Sequence, residues 1–138
     1  MQVALRKVRS YDGSETVLVV DEDRFVRNLL KRTLSLHGYQ VITAADSREA
    51  QEVAAKHQGP IHLLVTDILL SVTDGPELAR LLSRERPSLR CLYVSGFYRA
   101  LTSRNVVPED QFLTKPFSPD DLLQKVRNLL DLVPAQVA

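Results

Sequence analysis

The sequence holds a single cysteine, Cys91, so no internal disulfide can form and a reducing compartment fits. Cys91 lies in the apolar run Cys91-Leu92-Tyr93-Val94, where a small buried thiol is the ordinary reading. Charge of one sign is also lacking: 18 Lys and Arg face 17 Asp and Glu, for a net charge of +1. That excludes a field able to draw the whole chain to DNA, RNA or an anionic membrane, so function must come from a local site. No apolar stretch approaches the roughly 18 residues of a membrane span. Met1 to Ser10 has no apolar signal-peptide core, and no repeat or low-complexity tract is found. A cytoplasmic protein with no membrane contact and no direct nucleic-acid contact is expected. What is present, 138 residues with 44% hydrophobic and 25% charged content, suits one compact domain.

Apolar runs and helical spacings alternate along the chain. Thr16 to Val20 reads as a strand, followed by a helix with apolar residues at Phe25, Leu29, Leu30, Leu34 and Leu36 and a glycine stop at His37-Gly38. Gln40 to Ala44 is the second strand, and Asp46 to Lys56 a helix opened by an Asp or Ser cap. After the break at Gly59-Pro60, Ile61 to Thr66 is the third strand. Asp74-Gly75-Pro76 starts a helix to about Arg86, and Arg90 to Ser95 is the fourth strand. A short fourth helix is expected within Phe97 to Val107, then a fifth strand at Gln111 to Thr114. The last helix opens on Ser118-Pro119-Asp120-Asp121, a cap, a proline at the first helical position and acids at the positive end of the dipole, and runs to about Leu132. This alternation predicts a doubly wound α/β domain with a mainly parallel sheet and right-handed crossovers. The domain is expected over 15–133. Residues 1–14 read as a basic lead-in (Arg6, Lys7, Arg9) and a flexible linker (Asp12-Gly13-Ser14), and residues 134–138 as a tail.

In an open parallel sheet the working site lies beyond the carboxyl ends of the strands. Directly after the apolar runs stand Asp21-Glu22-Asp23, Asp67, Ser95-Gly96 and Lys115-Pro116-Phe117. Asp23 reads as a helix cap. Asp21, Glu22 and Asp67 come from strands that would be neighbours, so three carboxylates would converge and repel unless neutralised. One Mg²⁺ and the ammonium of Lys115 balance their charge, and Mg²⁺ takes oxygen ligands while keeping waters that phosphate oxygens can replace. A carboxylate beside both cations is placed to attack phosphorus. Asp67 is the candidate nucleophile, and the Ser95 hydroxyl is a candidate donor to a phosphoryl oxygen.

These residues make the chain resemble the receiver domains of bacterial response regulators and hybrid histidine kinases, over about Glu15 to Val133. Val19-Val20-Asp21-Glu22 matches the acidic metal-binding pair and Thr66-Asp67 the phosphoacceptor. Asp74-Gly75 matches the turn that follows, Ser95-Gly96 the switch hydroxyl and its small neighbour, and Lys115-Pro116-Phe117 the lysine followed by a cis proline. The resemblance implies a flavodoxin-like (βα)5 sandwich with strand order 2-1-3-4-5. It implies Mg²⁺ on Asp21, Glu22, Asp67 and the backbone carbonyl of Leu69. It also implies a switch in which phosphorylation draws Ser95 inward and lets the aromatic Phe112 turn. The surface of the fourth helix, fifth strand and fifth helix, with Phe97, Tyr98, Leu101 and Phe112, would then meet a partner or a second copy of the chain. The implied donor is a histidine kinase or histidine phosphotransfer protein. The lead-in at Tyr11 to Thr16 resembles that of a terminal receiver in a hybrid sensor kinase, with a stand-alone receiver as the alternative.

The sequence departs from the family pattern at three places. Glu22 replaces the usual second aspartate and is one methylene longer. Leu70-Ser71 stands in place of a Met-Pro pair, which predicts a more mobile loop. Leu69 and Phe97, two residues after Asp67 and Ser95, border the implied path of the hydrolytic water, which predicts slow self-dephosphorylation. Three other readings compete. A haloacid-dehalogenase-like phosphatase would use Asp21 as its nucleophile, but leaves Asp67 unexplained and lacks a later acidic pair. A flavin binder of the same architecture needs a Ser, Thr and Gly-rich loop where this chain has acids. A pseudo-receiver that binds partners without phosphorylation would be expected to have lost a member of the set.

Overall fold

A computed structural model describes residues 10–96 and 107–132. Five strands form one parallel sheet: β1 (Thr16–Val20), β2 (Gln40–Ala44), β3 (Leu63–Thr66), β4 (Arg90–Ser95) and β5 (Phe112–Thr114). Their order is β2-β1-β3-β4-β5, as the resemblance implies. The helices are α1 (Arg24–Leu36), α2 (Ser47–Lys56), α3 (Gly75–Ser83) and α4 (Pro119–Leu130), the last being the fifth in the sequence-based count. The predicted fourth helix, with Phe97, Tyr98 and Leu101, lies outside the described residues. None of the described helices is long and apolar enough to cross a membrane.

Strand residues alternate between two packed layers, because successive side chains point to opposite faces. Val17 and Val19, with Leu63, Val65, Leu92 and Val94, pack against Leu30 and Leu34 of α1 and Leu122 and Val126 of α4. Leu18, Val20 and Leu64 pack against Ala50 and Ala54 of α2 and Leu78 and Leu82 of α3. All residues of β1 and β3 are buried, as covering on both faces requires. Cys91 is buried as expected, and burial pushes its thiol up to about 12, so it stays protonated and unreactive at neutral pH.

Several boundaries differ from the sequence pattern for local reasons. Strand β3 starts at Leu63 rather than Ile61: the His62 ring nitrogen Nδ1, not a ladder carbonyl, accepts the Thr16 N–H at 3.0 Å. Helix α3 ends at Ser83 because the following amides fold back tightly, Arg84 N–H onto Leu81 and Glu85 N–H onto Leu82. On α1 the apolar spacing mixed two stripes. Leu30, Thr33 and Leu34 are buried, whereas Phe25 and Leu36 are each 75% exposed and Leu29 is also outward. At about 100° per residue one face alone can meet the sheet.

Asp12-Gly13-Ser14, read as a flexible linker, is tied to the domain, as is Tyr11 before it. Gly13 N–H donates to the His37 carbonyl at 3.0 Å, and Tyr39 Oη to the Tyr11 carbonyl at 2.8 Å. Arg127 of α4 donates to the Asp12 carbonyl and to both carboxylate oxygens of Glu15, and its guanidinium lies over the Tyr39 ring. Gly38, the predicted helix stop, has φ +99°, and a Cβ there would meet the Gly13 carbonyl oxygen at 2.4 Å, so no other residue fits.

The Arg127 hydrogen bonds hold Glu15 below its ordinary value of 4.5 against an opposing effect of burial. A carboxyl lowered on folding stabilises above its unfolded value, and that stability is lost as pH falls through the folded one. Glu15→Gln is therefore expected to cost on the order of 1 kcal/mol at neutral pH. The difference from wild type should vanish in melts run below the folded value. A difference that stays constant into acid would show that the pair contributes by packing alone.

Candidate functional site

The parallel register brings the predicted residues to one edge of the sheet. Val20 pairs with Thr66, so Asp21 and Asp67 leave adjacent strands side by side. Ser95 pairs with Thr114, and the amide of the next residue, Lys115, donates to the Ser95 carbonyl at 3.0 Å. Helix α3 fixes the Asp67 backbone from the other side. Asp74 caps α3 through the Glu77 N–H, and a Cβ on Gly75 would meet the Asp67 carbonyl oxygen at 2.3 Å. Only glycine allows the helix to start this close, which gives the Asp74-Gly75 pair its structural reason.

Lys115 sits between two carboxylates. Its Nζ donates to Asp67 Oδ2 at 2.8 Å and to Asp21 Oδ2 at 3.1 Å. Asp21 is 2% exposed, and its Oδ1 accepts the Asp23 N–H at 2.8 Å. Asp67 keeps more access, with 18% of its side chain exposed, and its Oδ1 accepts the Leu69 N–H at 3.1 Å. Asp23 caps α1 through the Phe25 and Val26 amides, as read from the sequence. Ser95 is buried at the carboxyl end of β4, and Phe112 is buried where β5 begins, paired with Tyr93 and in the same layer as Tyr93 and Val107. The Lys115–Pro116 peptide is cis, as the resemblance implies.

Glu22 is the member that departs from the expected convergence. Its Oε2 accepts two hydrogen bonds from Ser71, from the N–H at 2.8 Å and from Oγ at 2.6 Å. The three acids therefore do not crowd one point. Two share an ammonium and the third is drawn to the loop after β3, and among the described residues no three acidic, histidine or cysteine side chains converge as a metal cage. The loop expected to be looser for want of proline carries a tie that proline could not make. Sequence reasoning missed this contact, and it missed Arg27, whose guanidinium donates to the Asp21 carbonyl at 2.7 Å.

The electrostatics are unequal. Burial pushes the Asp21 carboxyl above its ordinary range, and the Asp23 amide and the Lys115 ammonium return only part of that cost. For Lys115, burial pulls downward, but the hydrogen bond to Asp67 and the charges of Asp21 and Asp67 outweigh it, and the net is upward. The ammonium is thus firmly held, mostly by Asp67, while Asp21 carries a charge its surroundings oppose. The donor set is all hard oxygen, and Mg²⁺, which needs one or two carboxylates and keeps waters, fits that chemistry.

Known proteins share this arrangement of elements. The response regulator receiver domain profile matches residues 17–127. The "Sensor kinase CckA" of Brucella abortus is 33% identical over 129 residues, which span 92% of this chain and 14% of the kinase. The "Response regulator MprA" of Mycolicibacterium vanbaalenii is 37% identical over 123 residues, 83% of this chain and 49% of the regulator. This chain therefore spans half or less of the length of those curated relatives. The solved chemotaxis protein CheY4 of Vibrio cholerae aligns with TM-score 0.72 at 26% identity, over 85% of this chain and 99% of that one. A response regulator receiver protein from Sinorhizobium medicae aligns with TM-score 0.74 at 27% identity, over 86% and 95% of the two chains. With a match running from the first strand into the last helix and the same fold in solved relatives, this chain belongs to the response regulator receiver domain family.

Proposed function

We propose that the chain is a cytoplasmic phosphoacceptor that takes a phosphoryl group on Asp67 from a histidine kinase or histidine phosphotransfer protein. The observation that carries this reading is the Lys115 ammonium bridging Asp67 and Asp21 at the carboxyl ends of the sheet. An Asp67 oxygen attacks the phosphorus of a phosphohistidine; the P–O bond forms as the P–N bond breaks, and the electron pair stays with the imidazole nitrogen. Asp67 is held in place by the Leu69 amide and by Lys115, whose charge faces the transferring oxygens. Asp21, Glu22, Asp67 and the Leu69 carbonyl would hold Mg²⁺, which would supply charge neutralisation for the phosphoryl group when bound. Ser95 then hydrogen-bonds a phosphoryl oxygen and Phe112 responds in the layer beside it. The domain assists its own phosphorylation and dephosphorylation rather than turning over a separate substrate.

The changed surface lies along β5 and α4, where Phe112, Pro116, Asp121, Gln124, Lys125 and Asn128 line a groove suited to a partner or a second copy. Direct nucleic-acid or membrane contact is not part of this reading, since the net charge is +1. Slow loss of the phosphoryl group is also proposed, now resting on Leu69, because Phe97 lies outside the described residues. The phosphatase reading with Asp21 as nucleophile is disfavoured by burial and by engagement of both its carboxylate oxygens.

Incubation with a small-molecule phosphodonor and Mg²⁺, followed by intact mass, tests the proposal. Wild type is expected to gain one phosphoryl group and Asp67→Asn none. An adduct of equal yield on the mutant would overturn the assignment, and label on Asp21 would favour the phosphatase. No adduct on wild type would favour a pseudo-receiver.

A further inference from the structure

Glu22 and Ser71 are two of the places where the sequence departs from its family pattern, and they meet. They lie 49 residues apart, yet the Ser71 N–H and Oγ both donate to Glu22 Oε2, at 2.8 and 2.6 Å. Each departure needs the other. Proline at the position of Ser71 would have neither the N–H nor the hydroxyl. Aspartate at the position of Glu22 would fall short by about one carbon–carbon bond, roughly 1.5 Å. Both donors engage the same oxygen, and an ionised carboxylate has about four acceptor sites on its two oxygens. Because Ser71 engages only Oε2, the acceptor capacity of Oε1 remains for a cation or one of its waters. A flexible side chain pinned at one oxygen by two donors also loses less rotamer entropy when the other oxygen is used.

We infer that Ser71 is a positioning residue that holds the Glu22 carboxylate ready for a divalent cation, compensating for the extra methylene. This rests on the Mg²⁺ part of the proposed function. Hydrogen-bond partners of a metal-ligating carboxylate commonly account for about 10–100-fold in metal affinity. The Glu22–Ser71 contact is solvent-exposed, which favours the low end of that range.

An MgCl₂ titration followed by the amide NMR signals of Asp21 and Asp67, at fixed ionic strength on the full chain, reads this directly. Ser71→Ala is expected to weaken Mg²⁺ about tenfold. Ser71→Thr, which keeps both donors, should retain wild-type affinity. In the background of Glu22→Asp, too short to reach, Ser71→Ala should change little. Unchanged or tighter binding by Ser71→Ala in the wild-type background, or equal weakening in both backgrounds, would overturn the inference while leaving the proposed function intact. No Mg²⁺ response in wild type would sink both.

Discussion

Asp21→Asn is expected to raise the melting temperature of the metal-free chain by a few degrees while abolishing useful Mg²⁺ affinity. The side chain is 2% exposed, and burial outweighs the favourable contacts from Asp23 and Lys115, so its ionised form is disfavoured on folding. The amide of asparagine keeps an acceptor for the Asp23 N–H, and Lys115 retains Asp67, so no charge is left without a partner. Some of the gain is offset, because the asparagine NH₂ then faces the Lys115 ammonium. The net is on the order of 1 kcal/mol, a few degrees for a domain of this size. A buried acid raised on folding costs stability above its folded value, and that cost is relieved as pH falls through it. The mutant's advantage should therefore narrow as pH drops from neutral toward the ordinary value of 3.8. If Asp21 is a direct oxygen ligand, as the proposed function has it, Mg²⁺ affinity should fall by more than the roughly 10–100-fold typical of an outer partner. Melts at several pH values and the NMR titration check both halves. A mutant less stable than wild type at neutral pH would show that the site stores no electrostatic cost at Asp21.

The same contrast explains what the sequence made legible. Strands β1, β2 and β4 were readable to the residue, because short runs rich in β-branched residues, such as Thr16-Val17-Leu18-Val19-Val20, stand between stretches of helical spacing. The site was readable because strand ends are where a parallel sheet collects side chains, and Asp21, Asp67 and Lys115 each follow one. What failed depended on distant partners. Arg127 orders the lead-in from 112 residues away through Glu15, and local composition there says only Gly, Ser and Asp. The inward stripe of α1 could not be chosen over Phe25, Leu29 and Leu36 without the sheet in view. Glu22 and Ser71 each read as a departure, and only their contact gives them a joint meaning.

Lys115→Met carries the largest expected effect with the opposite sign. Methionine keeps an apolar stem of similar reach, so packing beside Pro116 is little changed, but the ammonium shared by Asp21 and Asp67 is gone. Two carboxylates are then left facing each other at a site where the lysine is 23% exposed and the aspartates less. Breaking a fully buried pair costs about 3–5 kcal/mol, and the partial exposure here reduces that to roughly 2 kcal/mol in the metal-free chain. Mg²⁺ should recover more stability in the mutant than in wild type, because the cation replaces the missing charge and stabilisation follows its affinity. Lys115 is raised on folding above its ordinary value of 10.5, so its contribution is present below that value and lost as pH rises through the folded one. The gap between wild type and Lys115→Met should accordingly stay constant from roughly pH 7 to 9. Phosphoryl transfer should still fall steeply in the mutant, because Mg²⁺ restores charge but not the donor aimed at Asp67 Oδ2. Equal Mg²⁺ stabilisation of both proteins, with full phosphorylation of the mutant, would show that Lys115 is a structural counter-ion rather than part of the transfer chemistry.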